Sequence, residues 1–435
     1  MWPHIDISVS EENEKTIEAK EPEKEEAKEK KEEEEKTLSF QFPFFLLRTK
    51  RGIDLMDKLA PLTTTRLFGT AALYIFPIVG AVGFSLILFS ASIMLTTAPI
   101  REFVRSSGPF VHLLLPGINP YVPLIYGWFA LVVAMVVHEG SHGILARSFK
   151  LKVKSSGLIF LAILPFGAFV DIDEEELKKT AARKTGRVMA AGPMSNFVVG
   201  IISLIGLMLL VGSMVPASNG AGIFAVTEDS PAHNAGILPT DTLIELNGVH
   251  VGSADEIQEV LEDFDPGDTI SLSVLHEGDK ITRDIVLKSF NASSRAFIGI
   301  STIDSSMILD LLENYRRPQL ASPLIYTYLP TFNSAQERVP FSETMSNFYT
   351  SPLGDYTYFA ANILFWLWFV NFNLAIFNAL PLYPLDGGQA LRSGLQSYGN
   401  KRGWKENTAW RITKGSSFFI VGLLLAVILV PYLLA

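Results

Sequence analysis

The sequence predicts a polytopic α-helical membrane protein of about five transmembrane helices, with a re-entrant β-hairpin and an inserted β-rich domain. Hydrophobic residues make up 48% of the 435 residues and charged residues only 19%, whereas soluble proteins carry about 25% charged residues. Five apolar stretches are long enough for the roughly 20 helical residues that a bilayer requires. A polar segment dense in turn signals and β-forming residues separates the third and fourth stretches.

Residues 1–38 form an acidic tail. Between 11 and 36 the chain holds thirteen Glu and seven Lys, a composition that cannot bury a core and predicts a disordered, solvated segment. A secretory signal needs a basic start followed by an apolar run, so none is expected here. Without the tail the chain is nearly neutral, which argues against nucleic acid as a partner.

Cysteine is absent from the sequence. Disulfides, iron–sulfur clusters, thiol catalysis and Cys-bound zinc are therefore excluded. Any metal ion must be held by His, Asp, Glu or the main chain.

The membrane domain is predicted in two parts, 39–215 and 357–435. The five spans are expected near 68–97, 124–146, 188–214, 357–379 and 415–434. Lys and Arg cluster before the first span, between the second and third, and before the fifth. With five spans these clusters share one side, which the distribution of basic residues predicts to be cytoplasmic together with the N-terminus.

Three further segments complete the predicted organisation. The apolar piece 157–170 is too short to span and contains Pro165, so we expect a re-entrant hairpin, which at membrane depth survives only inside protein or beside a wet cavity. Residues 218–290 are expected to form the small β-rich domain. The connector 291–356 is predicted to be extracytoplasmic, with 301–356 on the outer membrane surface.

The motif that carries chemistry is VVHEGSHG at 136–143. His138 and His142 are four residues apart, so on a helix they share one face and can bind one metal ion. Glu139 lies beside them and can take a proton from a metal-bound water. Ionisable residues within a span are costly, and this cluster is therefore a functional candidate rather than a packing feature.

A catalytic zinc ion usually has three protein ligands. The best third candidate is Asp386 in NALPLYPLDGG at 378–388, where prolines and glycines break the helix and allow a carboxylate to point inward. The alternative is a helix-ending Asp-Gly turn. Asn378 in the same segment could polarise a substrate carbonyl or stabilise an oxyanion.

A second supporting segment is AAGPMSNF at 190–197. Gly192 and Pro193 allow close helix approach, and Asn196 is a polar group within a span. Because small residues and amides commonly join membrane helices, helix packing is the alternative role for Asn196.

HExxH in one span, AGPxxN in the next and NxxPxxxxDGG in a later one, in this order, resemble the site-2 protease family of intramembrane zinc metalloproteases. The resemblance covers roughly residues 120–400. It implies that His138, His142 and Asp386 bind one zinc ion per chain and that Glu139 is the catalytic base. It also implies three core helices, here the second, third and fourth spans.

The segment 222–249 (GIFAVTEDSPAHNAGILPTDTLIELNGV) resembles a PDZ domain of the bacterial and archaeal protease type. The match is carried by SPAxxAG from Ser230 to Gly236, by Asp241 and by the Asn247-Gly248 pair. In such relatives the domain lies between the second and third core helices and outside the cytoplasm. PDZ domains accept an extended peptide as an added strand, and a size filter that binds nothing tightly is the alternative role.

The expected function is that of a zinc-dependent intramembrane endopeptidase in a prokaryotic cell membrane. Its expected partners are the lipid bilayer, membrane-spanning protein substrates and a peptide ligand of the PDZ domain. We expect the hairpin 157–170 to hold an unwound substrate by β-addition. One alternative is a catalytically inactive scaffold that recruits partners through its PDZ domain. A metal transporter is a remote second alternative, because there are few spans and a transporter does not need the HExxH glutamate.

Overall fold

The computed structural model describes residues 38–49, 51–109, 115–119, 122–161, 164–289, 295–316 and 345–434. The predicted acidic tail, apart from Leu38, lies outside the described residues, and so does the stretch 317–344 of the predicted connector. By its internal contacts the chain divides into two compact units. The first contains the residues up to Val82 with Val132–Ser195 and Asn378–Phe419, and the second contains Gly83–Leu131, Asn196–Phe377 and Ile420–Ala435.

Twelve α-helices lie within the described residues. They are α1 (Arg51–Leu59), α2 (Thr63–Thr96), α3 (Ala98–Ser107), α4 (Leu124–Ser148), α5 (Glu174–Lys179), α6 (Ala182–Gly212), α7 (Pro231–Asn234), α8 (Ala254–Leu261), α9 (Ser305–Arg316), α10 (Tyr356–Ala379), α11 (Asp386–Arg402) and α12 (Thr408–Leu433). Of these, α2, α4, α6, α10 and α12 are long and apolar enough to cross a membrane. The predicted five-helix membrane fold is confirmed.

Three of these helices begin earlier than the apolar stretches predicted. Thr63, Ala182 and Thr408 start α2, α6 and α12, five to seven residues before the predicted spans. The added turns carry Arg and Lys, which are good helix formers and whose long side chains can reach water from the end of a span. Hydropathy marks the apolar part of such a helix and misses its polar first turns.

The described residues also contain fourteen β-strands. They are β1 (Leu38–Gln41), β2 (Phe44–Thr49), β3 (Val153–Leu161), β4 (Leu164–Ile172), β5 (Val215–Pro216), β6 (Ala221–Val226), β7 (Thr242–Leu246), β8 (Val249–His250), β9 (Thr269–His276), β10 (Asp279–Val286), β11 (Lys288–Ser289), β12 (Ala296–Phe297), β13 (Ile300–Ile303) and β14 (Tyr349–Thr350).

The first compact unit contains the predicted hairpin as β3 and β4, paired antiparallel. It is part of a larger sheet of order β1-β2-β3-β4, in which β2 pairs with β3 from Phe44↔Leu161 to Thr49↔Ser156. The strands β1 and β2 were not predicted, because LSFQFPFFLLR is nearly continuous in apolar residues and too short to span. Two features of the sequence could have indicated these strands, namely the alternation of apolar and polar residues in LSFQ and the Phe42-Pro43 turn.

The predicted β-rich domain lies in the second compact unit. Its sheet has the order β10-β9-β7-β6-β13, with β8 paired to β7. A buried cluster that includes Ile223, Leu243 and Leu272 forms the core. Ser230 caps α7 by accepting a hydrogen bond from the His233 amide at 3.1 Å. The expected Asn-Gly turn joins β7 to β8, with positive φ at both residues. The PDZ-like region is thus present, but its sheet extends beyond the predicted end at 290, because β13 from the predicted connector pairs with β6.

Candidate metal centre

The three predicted metal ligands meet in the first compact unit. Their ligand atoms all lie within 4.8 Å of one another. Asp386 Oδ2 is 3.0 Å from His138 Nε2 and 3.3 Å from His142 Nε2. The three residues are at most 9% exposed. A buried carboxylate facing two imidazoles without a cation among them is costly, so the cluster requires either a proton or a metal ion.

The orientation of His142 favours the metal. Its Nδ1–H donates to the Val188 carbonyl oxygen at 2.7 Å, where α6 passes α4. With the proton at Nδ1, the Nε2 lone pair of a neutral imidazole points at Asp386 and is available to a ligand. Such a hydrogen bond on the other ring nitrogen is typical of metal-binding His residues.

Gly192 keeps the space at both imidazoles open. A Cβ built on Gly192 would collide with His142 Nε2 and lie 2.7 Å from His138 Nε2. Any side chain at this position would fill the place where the ligand atoms converge. Gly192 was predicted to allow close approach of two helices. In the structure, the groups that lie close to Gly192 are the two imidazoles of α4.

The spacing of the donor atoms agrees with zinc. Tetrahedral zinc binds His nitrogen and carboxylate oxygen at about 2.0–2.2 Å, which places neighbouring ligand atoms about 3.3 Å apart. The two Nε2–Oδ2 distances of 3.0 and 3.3 Å match that value. Two neutral imidazoles and one carboxylate are also a donor set that catalytic zinc uses. The residues present therefore fit the ion.

Asp386 is held by a tightly folded segment between α10 and α11. It begins α11 rather than lying in the preceding span, which ends at Ala379. A Cβ on Gly387 or Gly388 would collide with backbone atoms of 379–383, so only glycine permits the chain to fold back here. The loop is fixed from α12, where Ser416 Oγ donates to the Pro381 carbonyl and Ser417 Oγ accepts from the Tyr383 amide, both at 2.9 Å.

Glu139 connects α4, which carries the two candidate His ligands, to the hairpin. Its Oε2 accepts a hydrogen bond from the Val170 amide of β4 at 3.1 Å. A half-buried carboxylate beside two converging imidazoles can exchange a proton with a water molecule in that space. Sequence reasoning could not have found the Val170 amide, because a backbone donor leaves no trace in residue type.

The other predicted supporting residues are in different places. Asn196 is fully buried and belongs to the second compact unit, whereas Asn378 is half-buried in the first. Pro193 lies inside α6. Ser195, not predicted, donates to the Gly192 carbonyl of its own helix at 2.7 Å, and its Oγ lies 3.3 Å from the Val137 carbonyl oxygen of α4, one residue before His138. The roles of Asn196, Asn378 and Pro193 stay predictions.

The second compact unit has a separate cavity of about 460 Å³ in the PDZ-like domain. It lies between α8 and the segment 295–300 that leads into β13, and its apolar lining includes Ile257, Leu261 and Phe297. In the sheet, β13 pairs on one side with β6 and is the last strand of the order. No other strand of the described residues pairs with its second edge.

The chain is similar to several known proteins. The model of peptidase family M50 matches residues 126–423. An uncharacterised protein of Methanocaldococcus jannaschii is 27% identical over 79% of this chain and 75% of its own length. A putative zinc metalloprotease of Clostridium perfringens is 26% identical over 61% of this chain and 85% of its own length. The zinc metalloprotease RasP of Shouchella clausii is 23% identical over 48% of this chain and 50% of its own length.

Among solved structures, the PDZ domain of an SdrC-like protein of Listeria monocytogenes is similar to part of the chain. It is 23% identical, covers 22% of this chain and 95% of that domain, and has a TM-score of 0.19. The family model matches well over half of the chain and includes all the residues of the metal centre. The relatives' names support a metalloprotease, and the five apolar helices indicate a membrane protein. The chain belongs to peptidase family M50.

Proposed function

We propose that this protein is a zinc-dependent intramembrane endopeptidase that hydrolyses peptide bonds of membrane-spanning substrates. The observation that carries the proposal is the convergence of His138, His142 and Asp386 at a space that Gly192 leaves open. His138 and His142 lie on α4, which is long and apolar enough to cross a membrane, and Asp386 reaches them from the start of α11. His138 is ten residues from the end of α4 at Ser148, which is about 15 Å along the helix axis.

His138, His142 and Asp386 would hold the zinc ion. When bound, zinc lowers the pKa of a water molecule to near 7 and polarises a carbonyl group. Glu139 accepts the proton of the attacking water and returns it to the nitrogen of the leaving amine. The amide of Val170 keeps the Glu139 carboxylate at the edge of β4, so the proton carrier lies where an extended substrate would pass.

The sheet offers a way to hold that substrate. The carbonyls of a helical substrate are occupied by hydrogen bonds, so a scissile segment must unwind first. As the terminal strand of the sheet order, β4 has an edge that can pair with an extended segment. Because Val170 directs its amide to Glu139 and residues alternate along a strand, Ala168 directs its backbone groups to the same edge.

The orientation in the membrane belongs to the proposal. The basic clusters favour an orientation with the N-terminus and the zinc side in the cytoplasm and the PDZ-like domain outside. The cavity between α8 and β13 would bind an extended peptide by strand addition. A size filter remains the alternative role of this domain.

The rival function is an inactive scaffold that recruits partners through the PDZ-like domain. The test uses a protein with one transmembrane helix as substrate, reconstituted with the purified enzyme in liposomes. Glu139→Gln removes the proton acceptor but keeps side-chain size, so cleavage should fall by about 10³-fold or more while zinc stays bound. Full cleavage by this variant would reject the enzyme mechanism, and no cleavage by the wild type of any membrane substrate would favour the scaffold.

A further inference from the structure

The short helix α1 precedes the first membrane span and lies outside the segment that the family model matches. It belongs to the first compact unit and packs one face against other elements of that unit. Ile53, Met56 and Asp57 are spaced i, i+3 and i+4, so they share that face. Met56 is 5% exposed. The opposite face, with Asp54, Leu55 and Lys58, is exposed.

Met56 contacts α4 directly after the second predicted ligand. A Cβ built on Gly143 would lie 2.5 Å from Met56 Sδ and 2.8 Å from its Cε. The same Cβ would be 3.1 Å from Val170 Cγ1. Met56 and Val170 therefore both approach Gly143, one residue after His142. Val170 is also the residue whose amide bonds to Glu139.

Two other contacts tie α1 to the same place. Asp57 accepts hydrogen bonds from Arg147 Nε at 2.5 Å and from Arg147 Nη2 at 3.0 Å, a bidentate pair near the end of α4. Ile53 packs against a buried cluster formed by α4, α6 and the start of β3. That cluster consists of Ala146, Leu151, Val153, Val188 and Met189. It includes Val188, whose carbonyl orients His142.

The strand before α1 holds the hairpin. β2 pairs with β3 over six residues, and Phe44 of β2 packs against Phe166 of β4 with ring centroids 5.3 Å apart. Only residue 50 separates β2 from α1. The segment Phe44–Leu59 thus binds the hairpin with one half and α4 with the other.

We propose that α1 is a positioning element for catalysis, with Met56 as its central residue. By bridging α4 and the hairpin, it keeps the Glu139 carboxylate against the Val170 amide and the substrate edge of β4 in line with the metal. This inference rests on the proposed function. Since displacements of about 1 Å can lower a catalytic rate up to 10²-fold, loss of the contact should act on kcat more than on metal binding.

The test compares Met56→Ala with Met94→Ala. Met94 is 8% exposed in the half of α2 that belongs to the second compact unit, so both variants delete the same buried side chain. Met56→Ala should lower kcat about tenfold with KM changed by no more than about twofold. Its zinc content should equal that of the wild type. The peptide containing β4 should exchange its amide hydrogens faster, and Met56→Leu should restore kcat and protection.

Met94→Ala should keep kcat within about twofold of the wild type, even if its thermal stability falls as much as that of Met56→Ala. Equal losses of kcat in the two alanine variants would assign Met56 a merely structural role and overturn the proposal. Unchanged exchange of the β4 peptide in Met56→Ala would overturn it as well. Glu139→Gln tests the proposed function separately from the role of α1. Full cleavage by that variant rejects the protease mechanism, whereas the exchange measurement still decides whether α1 positions β4.

Discussion

The candidate metal centre and the PDZ-like domain each contain a buried aspartate beside histidine, and the two aspartates differ in how their negative charge is satisfied. Asp241 is 2% exposed and accepts hydrogen bonds from the Leu238 amide at 2.9 Å and from His276 Nδ1 at 2.7 Å. Its charge is thus satisfied by a backbone donor and by an imidazole whose side chain is 37% exposed.

Asp386 has a different environment. Two buried imidazoles present Nε2 to one carboxylate oxygen, and among the described residues no backbone amide donates to that carboxylate. The neighbouring Gly192 also leaves the converging atoms uncovered. A metal site is therefore recognised by three converging donors and a cleared space, whereas an Asp–His contact alone is an ordinary structural pair.

The largest expected effect is on metal content. The purified wild type should contain about one zinc per chain, and His138→Ala or Asp386→Ala should lose most of it, because two remaining ligands bind zinc weakly. His276→Ala, which removes the imidazole of the PDZ-like pair, should keep the full content. Elemental analysis of the four proteins decides this. A well-folded wild type without stoichiometric metal would remove the distinction between the two aspartates and favour the scaffold.

The second prediction concerns the cleared space. Gly192→Ala should weaken zinc binding by roughly 10–100-fold, the effect of disturbing the surroundings of metal ligands. Gly140→Ala is the matched control. Gly140 lies on the same helix as the histidines, and a Cβ there meets nothing within 4 Å. It should keep the metal and gain about 0.5–1 kcal/mol of helix stability. Competition with a chelator measures both affinities, and equal affinities would mean that Gly192 serves only helix packing.

The third prediction concerns the sheet edge in the first unit. Ala168→Pro removes a backbone donor that points away from β3, so it should lower cleavage of a membrane-spanning substrate about tenfold or more by weakening strand addition. Zinc content should not change. Ala168→Ser retains the amide and should cleave normally. Unchanged cleavage by the proline variant would exclude this edge as the substrate-binding strand.

The smallest effect is expected in the PDZ-like pair. The hydrogen bond that His276 makes with Asp241, together with the charge of that carboxylate, raises the pKa of His276 above its ordinary value. The protonated imidazole therefore stabilises the fold fully below the ordinary pKa of about 6.5, and this stability is lost as the pH rises through the raised pKa. Pulse proteolysis of wild type and His276→Gln should show a difference at pH 5.5 that shrinks at alkaline pH. A difference that grows with pH would contradict the assignment.

The parts of the fold that sequence patterns predicted are those with local causes. The five spans follow from uninterrupted apolar runs, and the Asn247-Gly248 turn follows from the ease with which these residues adopt positive φ. The strands β1 and β2 were missed, because β2 pairs with β3 more than a hundred residues away and β1 pairs in turn with β2. The start of α11 at Asp386 likewise depends on a fold in which Gly387 touches the backbone of 379–380.

By itself, the sequence determined the chemistry that this protein can carry. The spacing of His138 and His142 requires one helical face, the absence of cysteine excludes thiolate ligands, and the apolar runs require a membrane. Tertiary structure brought the predicted Asp386 to the two imidazoles and decided which amide holds Glu139. It also decided that a helix before the first span packs on Gly143. The physical reason is that residue type and spacing act over a few residues, whereas donor convergence and cleared space arise only when distant segments pack together.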